Sequence, residues 1–218
     1  MTVPTEPDRR YDLVVFDFDG TLADSFPWFC SVLNGVADRY RFRRVEDGEI
    51  DTLRGMGASA IVRHLGIPAW KLPLISRHMT ALAAREIDAI QLFPDIAPTI
   101  EDLHQTGLNL AIVSSNAEAN VRRVLGPQLS SRITRYSCGA PLFGKTRHLK
   151  SVIRRTGITP QRTLYVGDET RDHDAACSAG CDFAAVAWGY TRGETLAASN
   201  PTILLDAPDD LLNAIVAR

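Results

Sequence analysis

The chain has 218 residues, 45% of them hydrophobic and 23% charged, with a formal net charge of -2. That is the profile of an ordinary soluble globular protein, sized for one large domain or a core with a smaller insert. The charge balance lacks the basic footprint of broad nucleic-acid binding, and no stretch approaches the ~18 apolar residues of a membrane span, so neither nucleic acid nor a membrane is expected as a partner.

In chain order, the polar, proline-bearing opening MTVPTEPDRRYD reads as a frayed leader rather than a secretory signal. Residues 13–16 are uniformly apolar and predict a buried strand, which stops at Asp17-Phe18-Asp19-Gly20-Thr21. Helical patterns follow over 28–40, 47–53, 58–65 and 70–90, with no convincing strand for more than eighty residues. This is too long for a simple crossover, so residues 25–90 are expected to form a helical cap inserted into a core built from 1–24 and 91–218. Arg39 to Arg44 is the one dense basic run and reads as the wet end of a helix. Phe26 and Trp28 are expected to pack inside the cap.

Beyond the insertion, apolar strands at 108–113, 133–136, 163–166, 183–187 and 203–205 alternate with helices at 94–104, 118–125, 145–155, 170–179 and 208–217. The strand runs are near-continuously apolar instead of alternating, as strands covered on both faces should be. Glycines at 107, 126, 157 and 180 punctuate the helix ends. The expected fold is therefore α/β: a doubly wound parallel sheet with a Rossmann-like core. Cys177 and Cys181 would share a helix face, but no second Cys or His pair completes a metal site, so they read as small buried thiols. Four cysteines without a disulfide framework suit a reducing, cytoplasmic setting.

Ligands of open parallel sheets bind beyond the carboxyl ends of the strands. There stand Asp17 and Asp19, Ser114-Ser115-Asn116, Gly167-Asp168-Glu169 with Asp172 a helical turn on, and Lys145 at a helix start. This set suits phosphoryl transfer through an aspartyl intermediate. Asp17 would attack phosphorus, and Asp19 would protonate the leaving alkoxide and then activate water. Ser114 would donate to a phosphoryl oxygen, and Lys145 would neutralise charge. Because a carboxylate and a phosphate repel, Mg²⁺ is expected between them, held by Asp17, the Asp19 backbone carbonyl, Asp168 and Asp172. Gly20 would let the backbone approach the phosphate and Thr21 would keep the loop polar. Asp168 and Asp172 also fit an N-cap and a first-turn acid. His148 and His173 read as surface histidines.

The segments DFDGTLADS, IVSSN, FGKTRHLK and VGDETRDHDAA, in this order and at these strand ends, resemble the four motifs of the haloacid dehalogenase superfamily, most closely its phosphoglycolate-phosphatase-like branch. The resemblance covers nearly the whole chain. It implies a Mg²⁺-dependent phosphatase acting on a small phosphorylated metabolite, phosphoglycolate-like or a sugar phosphate, with Asp17 as nucleophile, Asp19 as general acid/base, Ser114 as phosphate donor, Lys145 as the lysine, and Asp168 and Asp172 at the metal. An acid at position 19 marks the phosphate-handling members. Ser115, Asn116, Gly20 and Thr21 would contact substrate, and the RGMGAS loop makes Arg54, Gly55 and Met56 specificity candidates. Glu169 stands where a small hydroxyl residue is common and would pair with Arg171 or point outward; Asp95 stands where glycine is frequent. Lys150 is a rival for the lysine role that fits the helix start less well. The alternatives are a phosphomutase of the β-phosphoglucomutase type, or a pyrophosphatase or nucleotidase with the same site. A receiver domain fits poorly, because its phosphorylated aspartate lies apart from its N-terminal acid pair.

Overall fold

The computed structural model describes residues 9–216; the opening stretch before residue 9 and the end of the last expected helix lie outside them. Six strands form one parallel sheet: β1 (Leu13–Phe16), β4 (Asn109–Val113), β5 (Arg135–Ser137), β6 (Thr163–Gly167), β7 (Asp182–Val186) and β8 (Ile203–Leu205), in the spatial order β5-β4-β1-β6-β7-β8. The expected strands are all present, shifted by one or two residues at some ends. This is the doubly wound α/β fold.

The unbroken apolar runs have a direct cause. Successive strand residues point to opposite faces, and both faces are covered. Val14, Phe16, Leu110, Ile112, Leu164 and Val166 share one core with side chains of α5 (Ile96–Gln105), α6 (Glu118–Arg132) and α10 (Asp210–Val216). Leu13, Val15, Ala111, Val113, Tyr165 and Phe183 face the other way, against α7 (Lys145–Thr156) and α8 (Thr170–Ala179). Polar alternation would have left acids or hydroxyls against a helix on one side.

The stretch between the first two sheet strands does carry strands, contrary to expectation. β2 (Ala23–Asp24) and β3 (Gln91–Leu92) pair antiparallel as a small ribbon. Two-residue strands have no periodicity to read, so the sequence could not reveal them. Between them lie α1 (Phe26–Tyr40), α2 (Ile50–Arg54), α3 (Ala58–His64) and α4 (Leu72–Arg85). Leu33, Val45, Leu53 and Leu65 form a small core among these helices. The basic run does end a helix: Arg41 caps α1 in a left-handed conformation, and Arg43 and Arg44 reach Glu49 and Asp38 on the surface. A further short helix, α9 (Gly193–Ala197), was not expected.

Other boundaries follow local chemistry. The helix expected to stop at Leu125 does break there, where Gly126 takes φ 71; a second run starts at Pro127 and reaches Arg132. Asp95 itself occupies the left-handed region (φ 65), which explains why glycine would be at ease at that position. Gly180 (φ 76) ends α8, so Cys181 lies past the helix and does not share a face with Cys177; Cys181 is buried and Cys177 exposed, which corrects the reading of two buried thiols on one face. No described helix is long and apolar enough to cross a membrane.

Candidate active site

Register places the site. Phe16 pairs with Ile112 on one side and with Val166 on the other, so Asp17, Ser114 and Asp168 emerge from three adjacent strands at nearly the same level. Just past β1, Thr21, Leu22 and Ala23 donate their N–H groups to the Phe18 carbonyl while Gly20 turns at φ 79, a tight loop that only glycine adopts freely at that point. Gly144 then starts α7, which delivers Lys145 from its first turn.

Asp17 is 2% exposed, Lys145 3% and Asp172 0%. The Lys145 ammonium donates to Asp17 Oδ2 and, at 2.6 Å, to Asp172 Oδ1. Tyr165, from the middle of β6, donates its hydroxyl to the same Asp172 oxygen at 3.1 Å. The Phe18 N–H donates to Asp17 Oδ1 at 2.7 Å. Burial pushes the Asp17 carboxyl up to about 7 against the pull of Lys145. Burial and Arg171 draw Lys145 down, but the surrounding carboxylates, Asp17, Asp172 and Glu169 among them, leave it raised. The exposed Lys150 lies outside this arrangement.

Asp19 lies beside this cluster. The Asn116 side-chain amide donates to it at 3.1 Å, and the Asn116 backbone N–H donates to Ser114 Oγ at 3.0 Å. Since that oxygen accepts from the backbone, the buried Ser114 hydroxyl proton is left to point at a ligand. Burial raises the Asp19 carboxyl. Ser115, partly buried, lines the same cavity.

Asp168 is fully buried with both oxygens in use: Oδ1 accepts from Thr21 Oγ1 at 2.9 Å and Oδ2 from the Tyr190 N–H at 2.8 Å. Burial, followed by its acidic neighbours Glu169 and Asp17, raises it well above the usual carboxylate range. It is Glu169, not Asp168, that occupies the N-cap of α8, because its extended backbone and not that of Asp168 precedes the first helical residue; the Glu169 N–H donates to Asp172 Oδ2 at 3.1 Å. Glu169 also pairs with Arg171, whose Nε reaches it at 2.6 Å.

Three ligand oxygens, one each from Asp17, Glu169 and Asp172, lie within 4.8 Å of one another. Five carboxylates at this strand edge, Asp17, Asp19, Asp168, Glu169 and Asp172, face two cations, Lys145 and Arg171. That surplus of hard oxygen donors and negative charge fits Mg²⁺, and Asp168 keeps lone pairs beyond its two hydrogen bonds.

Of the three cap candidates, Arg54 and Met56 line this cavity, and Gly55 is not part of its wall. Arg54 lies on the same cavity, but its Nε and Nη2 donate to the backbone carbonyls of Tyr190 and Gly189 at 3.0 and 2.9 Å, and its plane covers Phe26. Gly55 is exposed. Phe26 stacks edge-on against Tyr190, and Trp28 donates its indole N–H to Glu86; both also line the cavity. His148 bonds Ser137 and His173 bonds Cys177, apart from the carboxylates.

Sequence reasoning passed over Tyr165, Gly189 and Tyr190. The last two belong to the loop after β7, which also opens on the carboxyl edge, and its Trp-Gly-Tyr was the available signal. A Cβ on Gly189 would lie 2.2 Å from Asp168 Cβ and 2.4 Å from the Gly20 carbonyl oxygen. Gly189→Ala is therefore expected to cost about 1–3 kcal/mol, read as a lower midpoint in thermal unfolding, whereas Gly48→Ala would meet no neighbouring atom and lose only the ease of a positive φ.

Fold and site together define an α/β protein with its chemistry at the carboxyl edge of a parallel sheet. A family profile described as "Haloacid dehalogenase-like hydrolase" matches residues 14–186, and the chain belongs to that family of hydrolases. It is 34% identical over 203 residues to a phosphoglycolate phosphatase of Synechococcus elongatus, covering 93% of this chain and 96% of that one. Among solved structures it superposes on a haloacid dehalogenase-like family hydrolase of Streptococcus pneumoniae (TM-score 0.77, 17% identity, 94% and 98% of the chains). It also superposes on CbbY of Rhodobacter sphaeroides, solved in complex with phosphate (TM-score 0.71, 22% identity, 92% and 96%).

Proposed function

We propose that the protein is a cytoplasmic, Mg²⁺-dependent phosphatase that hydrolyses a small phosphomonoester through an aspartyl-phosphate on Asp17. The observation that carries this is the buried Asp17–Lys145–Asp172 cluster at the end of the central strand, with Asp19 and Ser114 beside it. The phosphoglycolate phosphatase relative and the phosphate bound to CbbY support a phosphorylated metabolite as substrate.

Asp17 Oδ would attack phosphorus, and Lys145, already bonded to that carboxylate, would hold it in line and screen its charge. Asp19, oriented by the Asn116 amide, would give a proton to the departing alkoxide and then take one from the hydrolytic water. Ser114 would donate its free hydroxyl proton to a phosphoryl oxygen. Asp17, Asp168, Asp172 and Glu169 would hold Mg²⁺, which supplies the positive charge that lets a carboxylate approach a phosphate dianion. Residues 25–90 would act as the cap, with the β2–β3 ribbon as its hinge, admitting substrate and then excluding bulk water.

The direct test is release of inorganic phosphate from a panel of phosphomonoesters by the purified protein with Mg²⁺. Chelation is expected to stop it and Mg²⁺ to restore it. Saturating Mg²⁺ should also raise the unfolding midpoint, by about 2.7 kcal/mol of stability at a hundredfold excess over Kd. Asp19→Ala should slow single-turnover release of the leaving group by roughly 10²–10⁴-fold for alkyl esters yet spare that burst for aryl esters whose leaving group departs without a proton, while the later hydrolysis of the aspartyl-phosphate slows for both. Equal losses of the burst on both ester classes would remove the acid role.

A further inference from the structure

The cavity that opens over Asp17 and Asp19 runs between the sheet edge and helices α1 to α4 and encloses about 300 Å³, at the small end for a metabolite site. Its deeper walls are Phe29, Leu53, Met56, Ile61, Leu72 and Met79. The charges that line it are three carboxylates, Asp17, Asp19 and Glu169, and two cations, Arg54 and Arg171. Neither cation offers its Nε–Nη2 edge to a ligand, although Arg54 keeps its Nη1. Arg171 is neutralised by Glu169 and bonds the Leu142 carbonyl at 2.9 Å. Arg54 spends its Nε–Nη2 edge, the one that grips a carboxylate two-pronged, on the Gly189 and Tyr190 carbonyls.

From this wall we infer that the substrate's leaving group is apolar, an alkyl chain or hydrocarbon ring, and not the carboxylate of phosphoglycolate or the hydroxyl array of a sugar. With phosphorus at Asp17, the ester oxygen points away from the sheet and its substituent enters the apolar space. A glycolate carboxylate would find no arginine edge open to grip it, and a sugar would bury most of its hydroxyls against that apolar wall, away from the neutral polar side chains of the lining, Ser76, Thr80, Ser115, Asn116, Tyr190 and Thr191. An alkyl group would bury against that wall and leave no polar group of its own unpaired. The inference rests on the phosphatase reading and narrows it.

The test is kcat/KM with Mg²⁺ for ethyl, butyl and hexyl phosphate, whose alkoxide leaving groups have matched reactivity, beside 2-phosphoglycolate and glucose 6-phosphate. The expected result is a rise of about three- to fourfold per methylene, carried in KM, with hexyl phosphate at least ~10-fold ahead of 2-phosphoglycolate. Met56→Lys, which places a cation in the wall at a partly exposed position, should reverse that order. A series flat in chain length, or one headed by 2-phosphoglycolate or the sugar phosphate, overturns the inference and leaves the phosphatase standing. No phosphate release from any ester overturns both.

Discussion

Asp17→Asn is expected to abolish turnover, by a factor on the order of 10⁴ or more, in a protein that remains folded. Asparagine has the size of aspartate and keeps an oxygen for the Phe18 N–H or the Lys145 ammonium, which retains Asp172 as its second partner. What it lacks is a carboxylate able to form an acyl phosphate. The fold should tolerate it because Asp17 is a buried charge that burial already pushes up to about 7. A group raised in the folded state contributes stability that is full below its unfolded value of 3.8 and lost as the pH rises through about 7. In metal-free protein, the variant's unfolding midpoint should therefore fall less than the wild type's between pH 4 and 7. Phosphate release and calorimetry check the two halves separately. Normal phosphatase activity in the variant would remove the nucleophile from Asp17.

Lys145→Met carries the opposite combination: inactivity together with a large loss of stability. Methionine fills the space but leaves Asp17 and Asp172 facing each other in the interior without their shared cation. Breaking a buried ion pair by removing one partner costs about 3–5 kcal/mol. For a chain of this length, that lowers the unfolding midpoint by roughly 6–20 °C. Adding Asp172→Asn to Lys145→Met should return much of the stability and none of the activity. A single variant as stable as the wild type would mean that the lysine does not hold the two carboxylates together.

The sheet and most of the site were readable in advance for one physical reason: strands buried on both faces are written as unbroken apolar runs, and polar residues that stop such runs must serve something at the strand end. Asp17, Ser114 and Asp168 were found that way, and Lys145 by its glycine-led helix start. Positions whose role depends on contacts distant in sequence were not readable. Tyr165 looks like any aromatic strand residue, and only packing shows its hydroxyl on Asp172. Arg54 is a specificity candidate through the resemblance alone, and nothing in the sequence points to its partners, two carbonyls 135 and 136 residues away. For Glu169 the pairing with Arg171 is one of the two arrangements the sequence leaves open, and its share in the acidic trio depends on how α8 is capped. The β2–β3 ribbon was missed for want of length.

That ribbon carries a mechanical implication. Outbound and returning chain run side by side, joined by the Ala23–Leu92 and Asp24–Gln91 pairings, so the helices between them hang from a single narrow stem. A tilt of the helical block would have to flex that stem and release the Arg54 bonds to the Gly189 and Tyr190 carbonyls. The three strand tips bearing Asp17, Ser114 and Asp168 belong to the sheet and would keep their alignment through it.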